Sequence, residues 1–435
     1  MDVANLVGLI LLVGIFAGIA LGFPIAVSIG LPSLVAMVVL VGFDSALIAS
    51  PQRVFTAVNN FTLLAIPFFV LAGVLMNSGG IAGRLVDAAK VMVGRMPSSL
   101  AQTNVVANAM FGAVSGAAVA AAAAVGSVMT PRMVKEGYDR PFAAAVNVAS
   151  APAGMLIPPS NTLIVYSLAS STSIAALFIA GVGPGLLWAL AVMIVAFIGS
   201  RRFGGGATTS RITVRQGLRV LWRAVPSLLM IVIVIGGILT GEFTATESSA
   251  IAVVYTLVLG FAYRTVRVAD LPGVLLKATQ TTAMVMLLVG VSGLLSWVLS
   301  FARIPQLVAD ALLGVSDNEL VITLLMLAIL LVVGMFMDPV PAILIFTPIF
   351  LPLWVTFGLS PIHFGVVITF AFGLGVITPP VGNVLFVGSR IAGLRVEPVI
   401  RRLVPFLVGL VIALLITVFL PALSTWLPIQ MGLMT

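Results

Sequence analysis

Two stretches decide how this chain folds: Gly154-Met155-Leu156-Ile157-Pro158-Pro159-Ser160-Asn161-Thr162 and Gly375-Val376-Ile377-Thr378-Pro379-Pro380-Val381-Gly382-Asn383. Each sets a Pro-Pro pair in the middle of a long apolar segment, 141–170 and 362–391. A proline pair removes two backbone donors and frees carbonyls in the preceding turn. In hydrocarbon every backbone N–H and C=O needs a partner, so such a break survives only inside protein or against a polar cavity. Freed carbonyls suit a hard cation, and the N-terminus of the half-helix that follows suits an anion. Both stretches also hold a hydroxyl and an amide beside the prolines. The plain alternative is a pair of proline kinks with no ligand.

The two stretches are related. A spacing of 221 residues separates Pro131 from Pro352, Gly137 from Gly358, Gly154 from Gly375, and Pro158-Pro159 from Pro379-Pro380. Equal apolar spacing surrounds these matches, which points to an internal repeat.

Composition sets the class. Hydrophobic residues make up 61% of the 435 and charged residues only 8%, with a mean hydropathy of +1.26. A soluble domain is nearer a quarter charged, so the expectation is an all-α polytopic membrane protein with no sizeable soluble domain. With no cysteine there is no disulfide or thiolate chemistry, and with one histidine, His363, a histidine metal cluster is nearly excluded. The net charge of +8 sits in short loops between apolar runs, which is not a nucleic-acid signature. Residues 5–21 have no basic leader and no small-residue cleavage site, so they read as a retained first helix.

Full-length spans are expected at 4–22, 24–42, 61–78, 174–199, 224–241, 245–263, 280–300 and 402–424. Segments 98–136 and 305–357 carry Gly, Ser, Asp or Pro at mid-length and read as hairpins that turn back inside the membrane. Segments 80–97 and 264–279 look amphipathic and read as arms lying in the interface. The Gly/Ser/Thr-rich, basic stretch 200–214 is a flexible linker near the middle of the chain. Five crossings per half would invert the second repeat. Basic residues test this: with the N-terminus outside, 19 of the 21 Lys and Arg fall inside, and only Arg53 and Arg303 fall outside. Both termini, His363, Asp310, Asp317 and Glu319 then face outside.

Within the first hairpin, Gly112-Ala113-Val114-Ser115-Gly116-Ala117 leads into the alanines Ala120 to Ala124, small enough for close backbone approach. The second holds Asp338, the one acidic residue well inside an apolar segment. A carboxylate there is a functional candidate, and Asp before Pro339 is also a helix N-cap; the readings are compatible. Glu247, in Phe243-Thr244-Ala245-Thr246-Glu247, reads as a first-turn cap, and Arg390 reads as an inside anchor.

At these residues the chain resembles the large membrane subunit of tripartite ATP-independent periplasmic (TRAP) transporters. The motifs are Gly22-Phe23-Pro24-Ile25-Ala26, Asp139-Arg140, Ile157-Pro158-Pro159-Ser160, the Phe243-to-Glu247 box, Met337-Asp338 and Thr378-Pro379-Pro380-Val381-Gly382; the similarity runs from about residue 5 to 425. Two departures stand out. Thr244-Ala245-Thr246-Glu247 replaces a common Thr-Pro-Thr-Glu, and Asn161-Thr162 replaces a common His-Asn after Pro-Pro-Ser.

The resemblance implies an elevator-type secondary transporter of two inverted repeats. In it a scaffold (1–97 and 224–300) and a transport domain (98–199 and 301–425) join through a cytoplasmic linker (200–223). Na⁺ would drive import of an organic anion: a C4-dicarboxylate, sialic acid, or a related acidic sugar or keto acid. Implied partners are a periplasmic substrate-binding protein, a small four-helix membrane subunit on a separate chain, and membrane lipid; the implied location is the bacterial inner membrane. Oxygen-only ligands at helix breaks place Ser115, Gly116, Gly154, Ser160 and Asn161 around one Na⁺, and Asp338, Gly375, Thr378, Gly382 and Asn383 around another. Ser160, Asn161 and Asn383 are expected to touch substrate. No catalytic residue is expected. Two alternatives are a stand-alone Na⁺/dicarboxylate symporter and the membrane subunit of a Na⁺-pumping decarboxylase.

The orientation is open to test in a cysteine-free chain. A cysteine placed at position 205 should resist a membrane-impermeant maleimide added from the periplasmic side, while one near either terminus should react. Labelling of position 205 from outside overturns the orientation.

Overall fold

The computed structural model describes residues 3–78, 81–94, 96–204, 214–316 and 318–434. Arg95, Asp317 and linker residues 205–213 lie outside the described residues. The described residues are helical and turn segments, without a strand among them. In chain order the first half comprises α1 (Val3–Ala20), α2 (Ile25–Val41), α3 (Phe43–Val58), α4 (Ala65–Ser78), α5 (Ile81–Val93), α6 (Ser99–Ser115), α7 (Ala118–Lys135), α8 (Arg140–Ser150), α9 (Ala153–Leu156), α10 (Asn161–Ser170) and α11 (Ile174–Phe203). The second comprises α12 (Val214–Leu239), α13 (Ala245–Ala262), α14 (Leu271–Phe301), α15 (Ile304–Leu313), α16 (Glu319–Gly334), α17 (Pro339–Thr356), α18 (Pro361–Gly375), α19 (Asn383–Ile391), α20 (Val396–Phe419) and α21 (Ala422–Gln430). Among the described residues six helices are long and apolar enough to cross a membrane, or up to eight if each bent pair is one span, so this is a multi-pass membrane protein.

Both expected hairpins and both broken helices form. α6 and α7 reverse at Gly116, and α16 and α17 reverse ahead of Asp338. The segment Arg140–Leu156 bends by 44° against α10 across Pro158-Pro159. Both Pro-Pro bonds are cis.

Three expectations need correction, and one helix was not expected. The second hairpin begins at Glu319, because residues from Ile304 form the separate helix α15. Segment 264–279 is not an arm: from Leu271 it is the start of the 31-residue α14, and only a short turn, Val268–Asp270, precedes it. An amphipathic helix appears instead at α3, which joins the following helical segment at a 59° bend. It lies against α14, where a Cβ on Gly293 would come within 2.3 Å of the Ala57 Cβ. Long apolar runs do not reveal α3, because Asp44, Ser45, Ser50, Pro51 and Arg53 interrupt its hydrophobic face. The linker is shorter than expected, because α11 continues to Phe203 and α12 begins at Val214.

Expectations at helix ends fare better. α5 is amphipathic, with Leu85, Val86, Ala88 and Ala89 buried; it packs on α6, α7 and α12. Asp87 pairs with Arg132 at 3.0 Å, and the Arg84 guanidinium lies 3.3 Å from the Tyr263 ring centroid. Thr244 and Glu247 form a reciprocal capping box at the start of α13. Arg390 occupies the last turn of α19 and is exposed. His363, at the start of α18, is wholly buried, 2.6 Å from the Ser424 hydroxyl and 3.2 Å from the Val418 carbonyl.

The broken helices pack on each other through polar side chains that reach backbone. The Tyr166 hydroxyl donates to the Pro361 carbonyl at 2.5 Å, and the Trp188 indole N–H donates to the Ala149 carbonyl at 2.8 Å while its ring meets Phe370. Arg402 pairs with Asp139 at 2.9 Å and stacks over Phe203, whose carbonyl accepts from the Asp139 N–H. These contacts join α8, α11 and α20 at one end.

Glycine sets how closely each hairpin meets its broken helix. A Cβ on Gly154 would lie 2.1 Å from the Gly112 Cα, and one on Gly375 would lie 2.4 Å from the Gly334 carbonyl carbon. No methyl group fits at either crossing without moving backbone. Gly154→Ala and Gly375→Ala should each destabilise the purified protein by about 1–3 kcal/mol, the usual cost of overpacking. Gly236→Ala, where a Cβ meets nothing within 4 Å, should be neutral or stabilising. Thermal midpoints of the three variants in detergent check this; equal midpoints would show that the crossings relax freely.

Candidate functional site

The first break is organised by hydroxyls. Ser160 caps α10 by accepting from the Leu163 N–H, and its own hydroxyl donates to the Met155 carbonyl. The Thr162 hydroxyl donates to the same carbonyl at 3.0 Å and lies 2.8 Å from the Ser160 oxygen. One carbonyl near the proline pair is thereby satisfied within the protein. Gly116 at the hairpin tip has a φ of +61° and donates its N–H to the Gly112 carbonyl at 2.7 Å. A Cβ there would come within 3.0 Å of the Asn161 nitrogen, so glycine serves both the turn and the close approach. Ser115, buried beside it, has its oxygen 3.5 Å from the Ala117 N–H. Hairpin tip and break therefore meet at Gly116 and Asn161.

The second break is organised by a carboxylate. Asp338 caps α17, accepting from the Val340 N–H at 3.2 Å. Asn383 lies beside that carboxylate. Gly382 has a φ of +51°, and its N–H donates to the Met335 carbonyl of the hairpin at 3.3 Å. The Thr378 hydroxyl donates back to the Leu374 carbonyl at 2.6 Å. Asp338, Asn383 and Gly382 are thus drawn into one cluster, with Thr378 and Gly375 just behind it on the broken helix.

The two clusters share a cavity of about 370 Å³. Gly116 to Val119 and Asp338 to Val340 line it from the hairpins, and Met155, Asn161, Thr162, Val165, Val376, Asn383 and Val384 from the broken helices. The remaining wall is apolar: Ile25 of α2, Ile66 and Val70 of α4, and Met284, Val285 and Leu288 of α14 beside the single hydroxyl of Thr281. Four helices begin at this cavity: α7 at Ala118, α10 at Asn161, α17 at Pro339 and α19 at Asn383. Each brings the positive end of its dipole. A single carboxylate among four helix N-termini leaves room for an anion together with a cation.

Of the residues expected to touch substrate, Asn161 and Asn383 line the cavity. Ser160 lies behind the wall, fully buried as a cap. Thr162 and Thr281 line the cavity and were not singled out from sequence. Thr162 follows Asn161 directly and was visible in the motif; Thr281 joins the site only through packing of α14.

Residues 12–423 match the family described as tripartite ATP-independent periplasmic transporter, DctM component. The chain is 49% identical to YgiK of Salmonella typhimurium, over 98% of this chain and 99% of that protein. It is 39% identical to the C4-dicarboxylate TRAP transporter large permease protein DctM of Pseudomonas aeruginosa, over 88% and 89%. It is 37% identical to the sialic acid TRAP transporter large permease protein SiaM of Vibrio cholerae, over 95% and 96%. The crystal structure of the Alcanivorax borkumensis YdaH transporter, described as having an unusual topology, matches with a TM-score of 0.60 over 89% of both chains. At 13% identity, that likeness concerns the fold alone.

The cavity generates its own test. Val70→Trp, on the wall that carries no break residue, should fill much of it and abolish uptake while the protein still inserts and purifies. Uptake at the wild-type rate would show that substrate does not pass through this space.

Proposed function

The chain belongs to the family of the DctM component of TRAP transporters, which makes it a large permease subunit and not an enzyme, and from that premise we propose that it imports an organic anion with Na⁺. Family membership sets aside the decarboxylase subunit and disfavours the stand-alone symporter. The observation that carries the proposal is the meeting of four helix N-termini and one carboxylate at a single cavity. The helix ends and the Asn161 and Asn383 amides recognise the anion's carboxylate, and the apolar wall accepts its body. The substrate is a C4-dicarboxylate, sialic acid, or a related acidic sugar or keto acid.

Na⁺ occupies the two places where a hairpin meets a break. Ser115, Gly116, Gly154, Ser160 and Asn161 surround the first. Asp338, Gly375, Thr378, Gly382 and Asn383 surround the second. The ligands offered are oxygens alone, as a hard monovalent cation requires. Glycine at 154 and 375 lets the hairpins close on the breaks, so Na⁺ binding and hairpin closure favour each other. Hairpins, broken helices, α11 and α20 move as a transport domain against a scaffold that includes α2, α4, α13 and α14, with the two repeats inverted. A periplasmic binding protein delivers the substrate, a separate four-helix membrane subunit braces the scaffold, and both termini face the periplasm across the inner membrane.

Uptake in proteoliposomes with candidate binding proteins and small subunits tests this. Ser115→Ala and Thr378→Val should each raise the half-saturating Na⁺ concentration by about 10-fold or more, as loss of a metal contact does. Asp338→Asn should weaken Na⁺ activation and leave assembly intact. If both hydroxyl variants keep the wild-type Na⁺ dependence, the site assignment is wrong. If the wild type instead runs on a pH gradient without Na⁺, and Asp338→Asn abolishes that, Asp338 relays protons.

A further inference from the structure

One helical turn from the Gly112–Gly154 crossing lies a second polar group that neither the breaks nor the cavity uses. Asn104 and Asn108 on α6 face Asn147 and Ser150 on α8, and each of the four is 1% exposed or less. Four polar side chains buried together in a membrane protein need mutual satisfaction, and this group does not reach it.

The donors of three members are committed elsewhere. The Asn147 amide donates to the Ala122 carbonyl at 2.9 Å, and the Ser150 hydroxyl donates to the Val146 carbonyl of its own helix at 2.7 Å. The Asn104 amide points to the Met133 sulfur at 3.6 Å. Their oxygens therefore turn toward one point, now held by the Asn108 amide nitrogen. That nitrogen lies 2.8 Å from Asn104 Oδ1, 3.0 Å from Asn147 Oδ1, 2.7 Å from Ser150 Oγ and 3.4 Å from the Asn147 carbonyl. A primary amide has two hydrogens, so four oxygens compete for them. Asn108 Oδ1, meanwhile, is buried with no hydrogen-bond partner.

We propose that Asn104, Asn108, Asn147 and Ser150 form an additional binding position for Na⁺, adjoining the first break and with the Asn108 amide standing in for the cation when the position is vacant. Oxygen and nitrogen of an amide are nearly isosteric. Turning Asn108 about its last torsion aims Oδ1 at the oxygen cluster, an arrangement that only a cation makes favourable. All the ligands are then uncharged oxygens, which suits a monovalent ion; Ca²⁺ sites draw on carboxylates. The group lies between the first break and the helix ends at Ser99 and Arg140, the side that the basic-residue distribution places inside. A Na⁺ leaving the first break in that direction meets it next.

The second half has no counterpart. Counted back from the glycine crossings, Gly112 and Gly154 in the first half and Gly334 and Gly375 in the second, the corresponding residues are Met326, Leu330, Ile368 and Ala371, all buried and apolar. Packing α6 against α8 therefore does not in itself demand amides, since α16 packs against α18 without them.

The inference rests on Na⁺ being the coupling ion. Equilibrium binding of radioactive Na⁺ to the purified full-length chain separates the two proposals. Asn108→Leu should bind one Na⁺ per chain fewer than wild type, and Asn108→Asp, which keeps an oxygen and adds charge, should restore it. Ser150→Ala, a smaller change that serves if the leucine variant fails to fold, should weaken the same Na⁺. Wild-type stoichiometry and affinity in the folded variants would overturn the additional site and leave a polar seam between helices. Absence of Na⁺ binding in wild type would overturn the coupling ion itself, and this position with it.

Discussion

The interaction on which the rest depends is the backbone hydrogen bond that a Pro-Pro pair denies to a helix in an apolar surround. Away from water an unpaired backbone group costs several kcal/mol, so the chain needs partners for what the prolines release. At the first break Ser160 and Thr162 converge on the Met155 carbonyl. At the second the Gly382 N–H crosses to the Met335 carbonyl of the hairpin. At the second break the hairpin is thus part of the solution.

Close approach follows from this. Polar groups at a break exchange hydrogen bonds with a neighbouring backbone only if the two come within about 3 Å, and side chains at the crossing would prevent that. Gly112 against Gly154 and Gly334 against Gly375 remove the obstruction. Where backbones meet this tightly, helix ends gather as well. Four N-termini come to share one small cavity because two hairpins and two breaks are packed back to back through Tyr166, Trp188 and Phe370.

The two halves reach a similar geometry by different chemistry. The first places neutral hydroxyls and amides at its hairpin and break and continues them into the asparagine group on α6 and α8. The second gathers its cluster around one carboxylate, Asp338, with Asn383 beside it.

Much of this was legible in the sequence by itself. Composition determined a helical membrane protein, and the Pro-Pro stretches determined where helices break. Asp338 stood out as a carboxylate inside an apolar segment. These readings succeed because they depend on local rules: proline lacks a donor, and apolar runs of fixed length seek lipid or core. Tertiary structure alone decided the rest. α3 escaped notice because its apolar face is made by packing on Gly290 and Gly293 of α14, not by a long hydrophobic run. Segment 264–279 joined α14 because helix propagation continued through residues whose amphipathic pattern suggested an interfacial arm. Ser160 moved behind the cavity wall and Thr162 onto it, since two residues along a helix turn a side chain by about 200°. Asn104, Asn108, Asn147 and Ser150 are scattered singly in apolar segments, and only the packing of α6 on α8 brings their oxygens to one point. The physical reason is common to these cases: a residue's type and its neighbours in sequence set what it can bond, while the partner it bonds is supplied by chain dozens of residues away.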